Sequence, residues 1–309
     1  MTTEPTAKVP AVSVVIPAYQ AERTIGACLA SLAAQVDAPP FEIVVVDSSP
    51  DAATERAVEQ ARAAAPALHA DYRRLPSRAY PGVARNAGAR LAHAPQLLFL
   101  DSDCVAAPDL VAAAARALGG GASAVSGAIA LDGPAPPSAR LRHLLEFKES
   151  LPGCPPRRTW MLPSACLAMR RDVYERHGGF PDARASEDWL LDWRMWNAGE
   201  DLRFDPALRV AHRTPAGWRA LWRYSALLGF HSGAARRRGG LPGQAVVRRP
   251  ALALLLPFGR TARAFAWCAR YAPAEIPFLL LYWPAYLVLA GVWAKGFRDG
   301  VRAAEAPAA

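Results

Sequence analysis

Asp101 and Asp103 end the stretch "LLFLDSDCV" (97–105), in which four apolar residues lead straight into two carboxylates spaced by one. Charge at the end of an apolar run is costly unless a cation meets it. The pair suits a hard divalent ion that also grips phosphate oxygens. It equally suits the cap of a helix beginning near Pro108, or a solvated turn, and the local sequence leaves these readings open. A second acidic pair, Glu187 and Asp188, heads "SEDWLLDWRMWNAG" (186–199). A carboxylate there either takes a proton from an attacking hydroxyl or complements a helix dipole. Asp47 ends another apolar run, "FEIVVVDSSPD" (41–51), as a ligand-facing acid or a helix cap, and His212 closes "RVAHR".

The elements that must position these groups follow from apolar spacing. "AVSVVIPAY" (11–19), residues 41–47 and "QLLFLDSD" (96–103) read as buried strands. Residues 21–35, 52–65 and 83–94 read as helices, the first with Ile25, Cys28, Leu29 and Leu32 on one face. This alternation predicts parallel β-α-β units, which bind ligands beyond the carboxyl ends of their strands. "PAY" (17–19), Asp47, Asp101 and Asp103 therefore gather on one rim. Further on, 108–121 reads as a helix and 122–131 as a strand. Residues 140–150 read as a helix, 151–158 as a mobile loop, 162–180 as strand then helix, and 200–213 as a hairpin-like strand pair.

The chain has 309 residues, 52% hydrophobic and 20% charged, with a formal net charge of +9. That composition excludes a disordered chain and a fully embedded transporter. The positive balance fits an anionic membrane surface or phosphate-bearing substrates. No nucleic-acid-binding signature is present, so nucleic acid is not an expected partner. No two of the five cysteines have CxxC spacing, which argues for reduced thiols.

Composition shifts after Pro215. Residues 217–240 form a basic, aromatic amphipathic helix, and 276–294 carry no charge over 19 positions. As a helix that run spans roughly 30 Å, about a bilayer core. Phe278, Tyr282, Trp283, Tyr286 and Trp293 suit a membrane interface, while Pro277, Pro284 and Gly291 favour a kinked or re-entrant hairpin over a clean span. The expected organisation is a disordered 1–10, a catalytic domain over 11–215, a basic helix and linker over 216–248, and a membrane-associated helical region over 249–309.

The segments "VSVVIPAYQAERTIGACLASLAAQ", "FEIVVVDSSPD", "VARNAG", "LLFLDSDCVAAPDLV", "GGFPD", "SEDWLLDWRMWNAG" and "RVAHR" occur in an order that resembles the family 2 inverting glycosyltransferases. The resemblance covers roughly 11–213 and implies an α/β fold of GT-A type, with a mostly parallel sheet. It implies that Pro17, Ala18, Tyr19, Glu22, Asp47, Arg85, Asp101 and Ser102 bind a nucleotide-diphosphate sugar. Ser48 departs from the family's usual acid or Asn. Asp101, Asp103 and His212 would hold a divalent cation, Mn or Mg. Asp188 would be the general base, supported by Glu187.

The processive members' Gln-x-x-Arg-Trp motif is absent, which favours transfer of a single sugar over polymer synthesis. The expected acceptor is a glycan or a lipid-linked hydroxyl, at the cytoplasmic face of the plasma membrane. A processive synthase and a non-catalytic sugar-nucleotide-binding protein are the alternatives. A nucleotidyltransferase would need a Gly-rich phosphate loop that "PAYQAERTIG" does not supply.

Overall fold

The β-branched runs fold as β1 (Val12–Ala18) and β2 (Phe41–Asp47), paired in parallel from Val12↔Phe41 to Ala18↔Asp47. The protein is seen in a computed structural model that describes residues 9–66 and 68–304. The expected disordered segment 1–10 lies outside the described residues as far as residue 8. Between the two strands, α1 (Ile25–Ala33) buries the face formed by Ile25, Cys28, Leu29 and Leu32. Next come α2 (Ala53–Ala64), β3 (Ala70–Arg74), α3 (Pro81–Leu91) and β4 (Gln96–Leu100). β3 was not expected. Its sequence, "ADYRR", lacks an apolar run because it is an edge strand, bonded only to β2.

The sheet continues through β5 (Cys104–Ala106), α4 (Leu110–Gly119), β6 (Ala124–Leu131), α5 (Pro137–Phe147), β7 (Arg157–Arg158) and β8 (Cys166–Arg170). After these come α6 (Arg171–Arg176), α7 (Glu187–Asn197) and β9 (Leu202–His212). The strand order is β3-β2-β1-β4-β8-β6-β9-β5, with β7 on β9. β1 runs parallel to β2 on one side and to β4 on the other, so the switch point of the sheet lies at the end of β1. Residues 200–213, expected as two strands, make one long strand. Within it Asp205 accepts the Ala207 N–H at 2.9 Å. The result is a bulge, because β9 resumes pairing with β6 at Ala128↔Arg209. Gly127 faces it, and a Cβ there would stand 2.6 Å from the Leu208 carbonyl oxygen.

The C-terminal part comprises α8 (Trp218–Gly239), α9 (Gln244–Arg248), a 3₁₀ turn over 250–255, α10 (Leu256–Tyr271) and α11 (Ile276–Ala303). α11 runs as one helix from Ile276 to Ala303 through Pro284, with no hairpin within 276–294. Pro273–Ala303 is long and apolar enough to cross a membrane by length and composition, with 28% of its most apolar window buried. α8 and α11 approach at backbone distance. A Cβ on Gly229 would lie 2.0 Å from the Trp293 carbonyl oxygen, and one on Gly300 1.9 Å from that of Phe230. Glycine spacings of four on both helices, 229/233 and 296/300, permit this closeness.

These helices share a core with the elements that precede them. Leu141, Leu144, Leu151 and Cys154 pack with Ala264, Cys268, Leu279 and Tyr286. The 151–158 loop, expected to be mobile, is therefore held. Trp267 donates its indole N–H to Cys154 Sγ at 3.1 Å, and Arg157 donates to the Glu149 carbonyl. Tyr286 and Trp293, expected at a membrane interface, are buried at 0% and 7% exposure. Trp283 is exposed, as are Leu254, Leu255, Phe258, Leu280, Leu281 and Val288.

Candidate active site

The parallel register puts Ala18 opposite Asp47. Tyr19, Ser48, Ser49, Arg74 and Arg78 then line a cleft of about 570 Å³ beyond β1 and β2. The Arg78 guanidinium lies 4.5 Å over the Tyr19 ring. Gln20 holds a left-handed φ of 50° and donates its N–H to Ser49 Oγ at 2.7 Å, fixing the turn after Tyr19. Asp47 is not on the cleft surface. It is fully buried, with one oxygen accepting the Ser49 N–H and hydroxyl and the other the Tyr72 hydroxyl at 2.7 Å. Ser48 and Ser49, which follow Asp47, line the cleft. Burial, then the Asp47 hydrogen bond, push the Tyr72 phenol up, so it stays a donor. Pro17 is half-buried and Ala18 buried within the strand, and Glu22 is exposed on the turn before α1.

Arg85 projects from α3 into the floor of the site. Gly88, one turn on, packs so tightly on β1 that a Cβ would stand 2.4 Å from Val15 Cγ1, which sets the helix close to the rim. The buried guanidinium donates to Asp101 Oδ1 at 2.6 Å and to Glu187 Oε1 at 2.9 Å. Burial opposes its charge, but the two carboxylates outweigh that and hold it above its ordinary range. Burial, then the charge of Asp188, raise Glu187 to about 7. Ser102 is half-buried in the turn between β4 and β5.

Asp103 and His212 meet because β5 pairs antiparallel with β9 at Cys104↔His212, and the Arg213 N–H closes on the Asp103 carbonyl at 2.8 Å. His212 Nδ1 faces Thr214 Oγ1 at 2.9 Å, which leaves Nε2 turned to Asp103 Oδ1 at 3.4 Å. Burial lowers His212, keeping the imidazole neutral, while burial and then the Asp101 charge raise Asp103 to about 7. A neutral imidazole and a carboxylate short of positive charge are donors that would fit a divalent cation. Cys104 Sγ belongs to the same group. Burial holds its thiol well above the usual range, so it offers no thiolate.

Asp101, Glu187 and Asp188 also line a cavity of about 300 Å³. Asp188 is fixed at the start of α7: Oδ1 accepts the Trp189 N–H at 2.8 Å, and Oδ2 faces the Ser164 N–H and hydroxyl at 3.4 and 3.5 Å. Ser186, immediately before the pair, has a left-handed φ of 68°, a costly conformation for a residue with a side chain. Burial raises Asp188 above the usual carboxylate range. Four further lining residues were missed by sequence reasoning: Glu146 from α5, Tyr224 from α8, Arg260 from α10 and Trp293 from α11. Trp293 had drawn notice only as a membrane-interface aromatic, and Tyr224 only as part of the basic, aromatic helix over 217–240. Nothing local marks Glu146 or Arg260, because their place depends on helix packing.

Residues 13–178, more than half the chain, match the family described as Glycosyl transferase family 2. Over 121 residues the chain is 39% identical to a validoxylamine A glucosyltransferase of Streptomyces hygroscopicus subsp. limoneus, a match covering 38% of this chain and 26% of that protein. It is 36% identical over 62 residues to the probable glycosyltransferase YdaM of Bacillus subtilis (strain 168), covering 20% of this chain and 15% of that one. The chain thus aligns with about a quarter or less of the length of these relatives. The fold is similar to that of the mannosyltransferase PcManGT from Pyrobaculum calidifontis, solved with GDP-Man and Mn²⁺. That likeness has a TM-score of 0.61 at 24% identity and covers 96% of this chain and 86% of the other. It is also similar to S. aureus TarS 1–349 solved with UDP, at TM-score 0.52 and 19% identity over 94% and 90% of the two chains. The α/β architecture expected from the sequence, a GT-A fold with a C-terminal helical region, is the one found. This chain belongs to glycosyl transferase family 2.

Proposed function

We propose that this protein transfers one sugar from a nucleotide-diphosphate sugar to a hydroxyl of a glycan or lipid-linked acceptor, with inversion at the anomeric carbon. The observation that carries this reading is that Asp188 and Asp101 line one cavity from different elements. In this reading the nucleotide occupies the cleft at Tyr19, Ser48 and Ser49, with Asp47 holding the Ser49 loop behind it. Asp103 and His212 hold the divalent ion, which supplies positive charge to the departing diphosphate. Arg85 holds Asp101 and Glu187 in place. Asp188 accepts the proton of the attacking hydroxyl from the side opposite the leaving group. A single base with no covalent intermediate gives inversion.

The catalytic part is 11–215, followed by the basic helix and linker (216–248) and a membrane-associated region (249–309). The exposed Leu254, Leu255, Phe258, Leu280 and Leu281, beside the exposed Arg248 and Arg249, support a seat on an anionic membrane surface, at the cytoplasmic face. The test is a panel of nucleotide sugars with Mg²⁺ or Mn²⁺, following nucleoside diphosphate release and the anomeric configuration of the product by NMR. Retention of configuration, or nucleotide binding with no release in any pair, overturns it.

A further inference from the structure

On the Nδ1 side of His212 lie two buried polar side chains, His143 of α5 and Thr214. Three hydrogen bonds run through them. His143 Nε2 stands 3.1 Å from the Ile129 carbonyl oxygen of β6, and His143 Nδ1 stands 3.3 Å from Thr214 Oγ1. The same Oγ1 lies 2.9 Å from His212 Nδ1. A carbonyl oxygen only accepts, so His143 Nε2 carries the hydrogen. The His143 side chain is 2% exposed and packs with its ring centroid 5.3 Å from that of Phe147, where a second proton would be a buried charge. Burial, then the charge of His212, lower His143 to about 4. His143 Nδ1 is therefore a bare acceptor and takes the Thr214 hydroxyl hydrogen. Thr214 has one hydrogen to give, so its oxygen accepts from His212, and the His212 hydrogen sits on Nδ1. The reverse arrangement, with Thr214 donating to His212, would leave His143 Nδ1 facing an oxygen with no hydrogen between them.

The fold anchors this chain of bonds at both ends. β6 pairs with β9 at Leu131↔His212, and the Gly217 N–H donates to Ser138 Oγ of α5 at 2.9 Å, tying the segment after β9 to the helix that carries His143. We propose that His143 and Thr214 are positioning residues for the metal centre. Their hydrogen bonds hold the His212 proton on Nδ1 and leave the Nε2 lone pair turned to Asp103, where the divalent ion would bind. With Asp103 ionised, Nε2 and Oδ1 face one another as two acceptors at 3.4 Å, an opposition that a cation relieves. This inference rests on the proposed metal role of His212.

The test uses the full chain with ¹⁵N-labelled histidine, free of metal, at a pH above the imidazole range. Long-range ¹H–¹⁵N spectra distinguish a ring nitrogen that bears hydrogen from one that does not. The His212 signals are those lost in His212→Ala, and the His143 signals those lost in His143→Phe. In wild type, His212 is expected to carry its hydrogen on Nδ1 and His143 on Nε2, two opposite tautomers. A His212 hydrogen on Nε2, or one divided evenly between the two nitrogens, overturns the proposal. Mn²⁺ affinity is then measured with saturating nucleoside diphosphate, from the electron paramagnetic resonance of the free ion. Thr214→Val keeps the side-chain shape and removes the hydroxyl. It is expected to weaken Mn²⁺ binding by about tenfold or more and to deplete the Nδ1–H tautomer of His212, whereas Thr214→Ser retains both. His143→Phe is expected to weaken Mn²⁺ binding as well, because Thr214 is then free to donate to His212. If Thr214→Val does not fold, the wild-type tautomers and His143→Phe decide. Weaker binding in His212→Ala but in neither Thr214→Val nor His143→Phe removes this inference alone. Equal affinity in wild type and His212→Ala removes the metal role of His212 itself.

Discussion

Nη2 of Arg85 stands 2.6 Å from Oδ1 of Asp101, so the cation that meets the first carboxylate of the Asp-Ser-Asp triplet is supplied by the chain itself. The divalent-ion reading then falls mainly on Asp103, two residues on, where the facing group is a neutral imidazole. Removing the guanidinium leaves Asp101 and the buried Glu187 without a counter-charge. Arg85→Met is expected to cost about 3 kcal/mol of unfolding free energy in urea, with Arg85→Lys losing less. Equal stability of wild type and Arg85→Met would remove Arg85 as the organiser of the floor.

Asp103→Ala and His212→Ala should each uncouple nucleotide binding from the metal. In wild type, Mn²⁺ is expected to tighten nucleoside diphosphate binding. In either variant that gain should shrink by about tenfold or more, while the melting temperature without ligand stays close to wild type. An undiminished metal effect in both variants would assign the ion elsewhere.

Asp188→Asn should keep nucleotide affinity and lower turnover by about 10²–10⁴-fold. Since burial holds Asp188 above the usual carboxylate range, the wild-type rate should keep rising with pH beyond that range. Glu187 bears on stability in the opposite sense. Its carboxyl moves from 4.5 to about 7 on folding, so the folded protein binds a proton across that window that the unfolded chain has released. Stability attributable to Glu187 therefore falls as pH rises from about 4.5 to about 7, by at most about 1.4 kcal/mol per pH unit. Glu187→Gln should flatten that slope in urea titrations at several pH values.

Two glycines of α11 should respond to alanine with opposite signs. Nothing lies within 4 Å of a Cβ on Gly291, so Gly291→Ala should stabilise by roughly 0.5–1 kcal/mol through helix propensity. A Cβ on Gly296 would stand 2.3 Å from the Ala226 carbonyl oxygen, so Gly296→Ala should destabilise by about 1–3 kcal/mol. Thermal unfolding of the two variants in parallel checks the α8–α11 contact independently of any activity.

Membrane seating is testable by cosedimentation with vesicles containing anionic lipid. Wild type should pellet with them, and Leu254→Glu combined with Leu281→Glu should reduce the bound fraction by about tenfold or more, because both side chains are exposed and apolar. Equal pelleting of the two proteins would remove Leu254 and Leu281 as the membrane seat, and no pelleting of wild type would remove the membrane reading.

The rim was legible because its groups sit at strand ends, where local apolar runs and a parallel register fix position. Asp101 and Asp103 were placed beside the β1–β2 end by that logic alone. What escaped depends on contacts without a local pattern. Asp47 ends an apolar run as expected, yet its oxygens are used by Ser49 and by Tyr72, which lies on an edge strand with no apolar signature. Trp293 has the composition of a membrane-facing residue, and only the packing of α10 and α8 against α11 turns it inward. Residues 200–213, read as a strand pair, hold a local Asp205–Ala207 hydrogen bond and a register shift without reversing the chain.

The core shared by α5 and the C-terminal hairpin constrains how such a protein can be remodelled in evolution. The residues lining the cleft at Tyr19 lie between 19 and 78, whereas Tyr224, Arg260 and Trp293 follow residue 217. A recombination crossover near 213–217 would exchange these lining residues of the Asp188 cavity while leaving the cleft at Tyr19 untouched. Leu141 and Leu144 pack directly on Cys268, Leu279 and Tyr286, however, so a transplanted hairpin would meet a mismatched α5. The heritable cassette is therefore discontinuous, consisting of α5 together with everything after 217. Changes in what the enzyme accepts should arise as paired exchanges in those two segments.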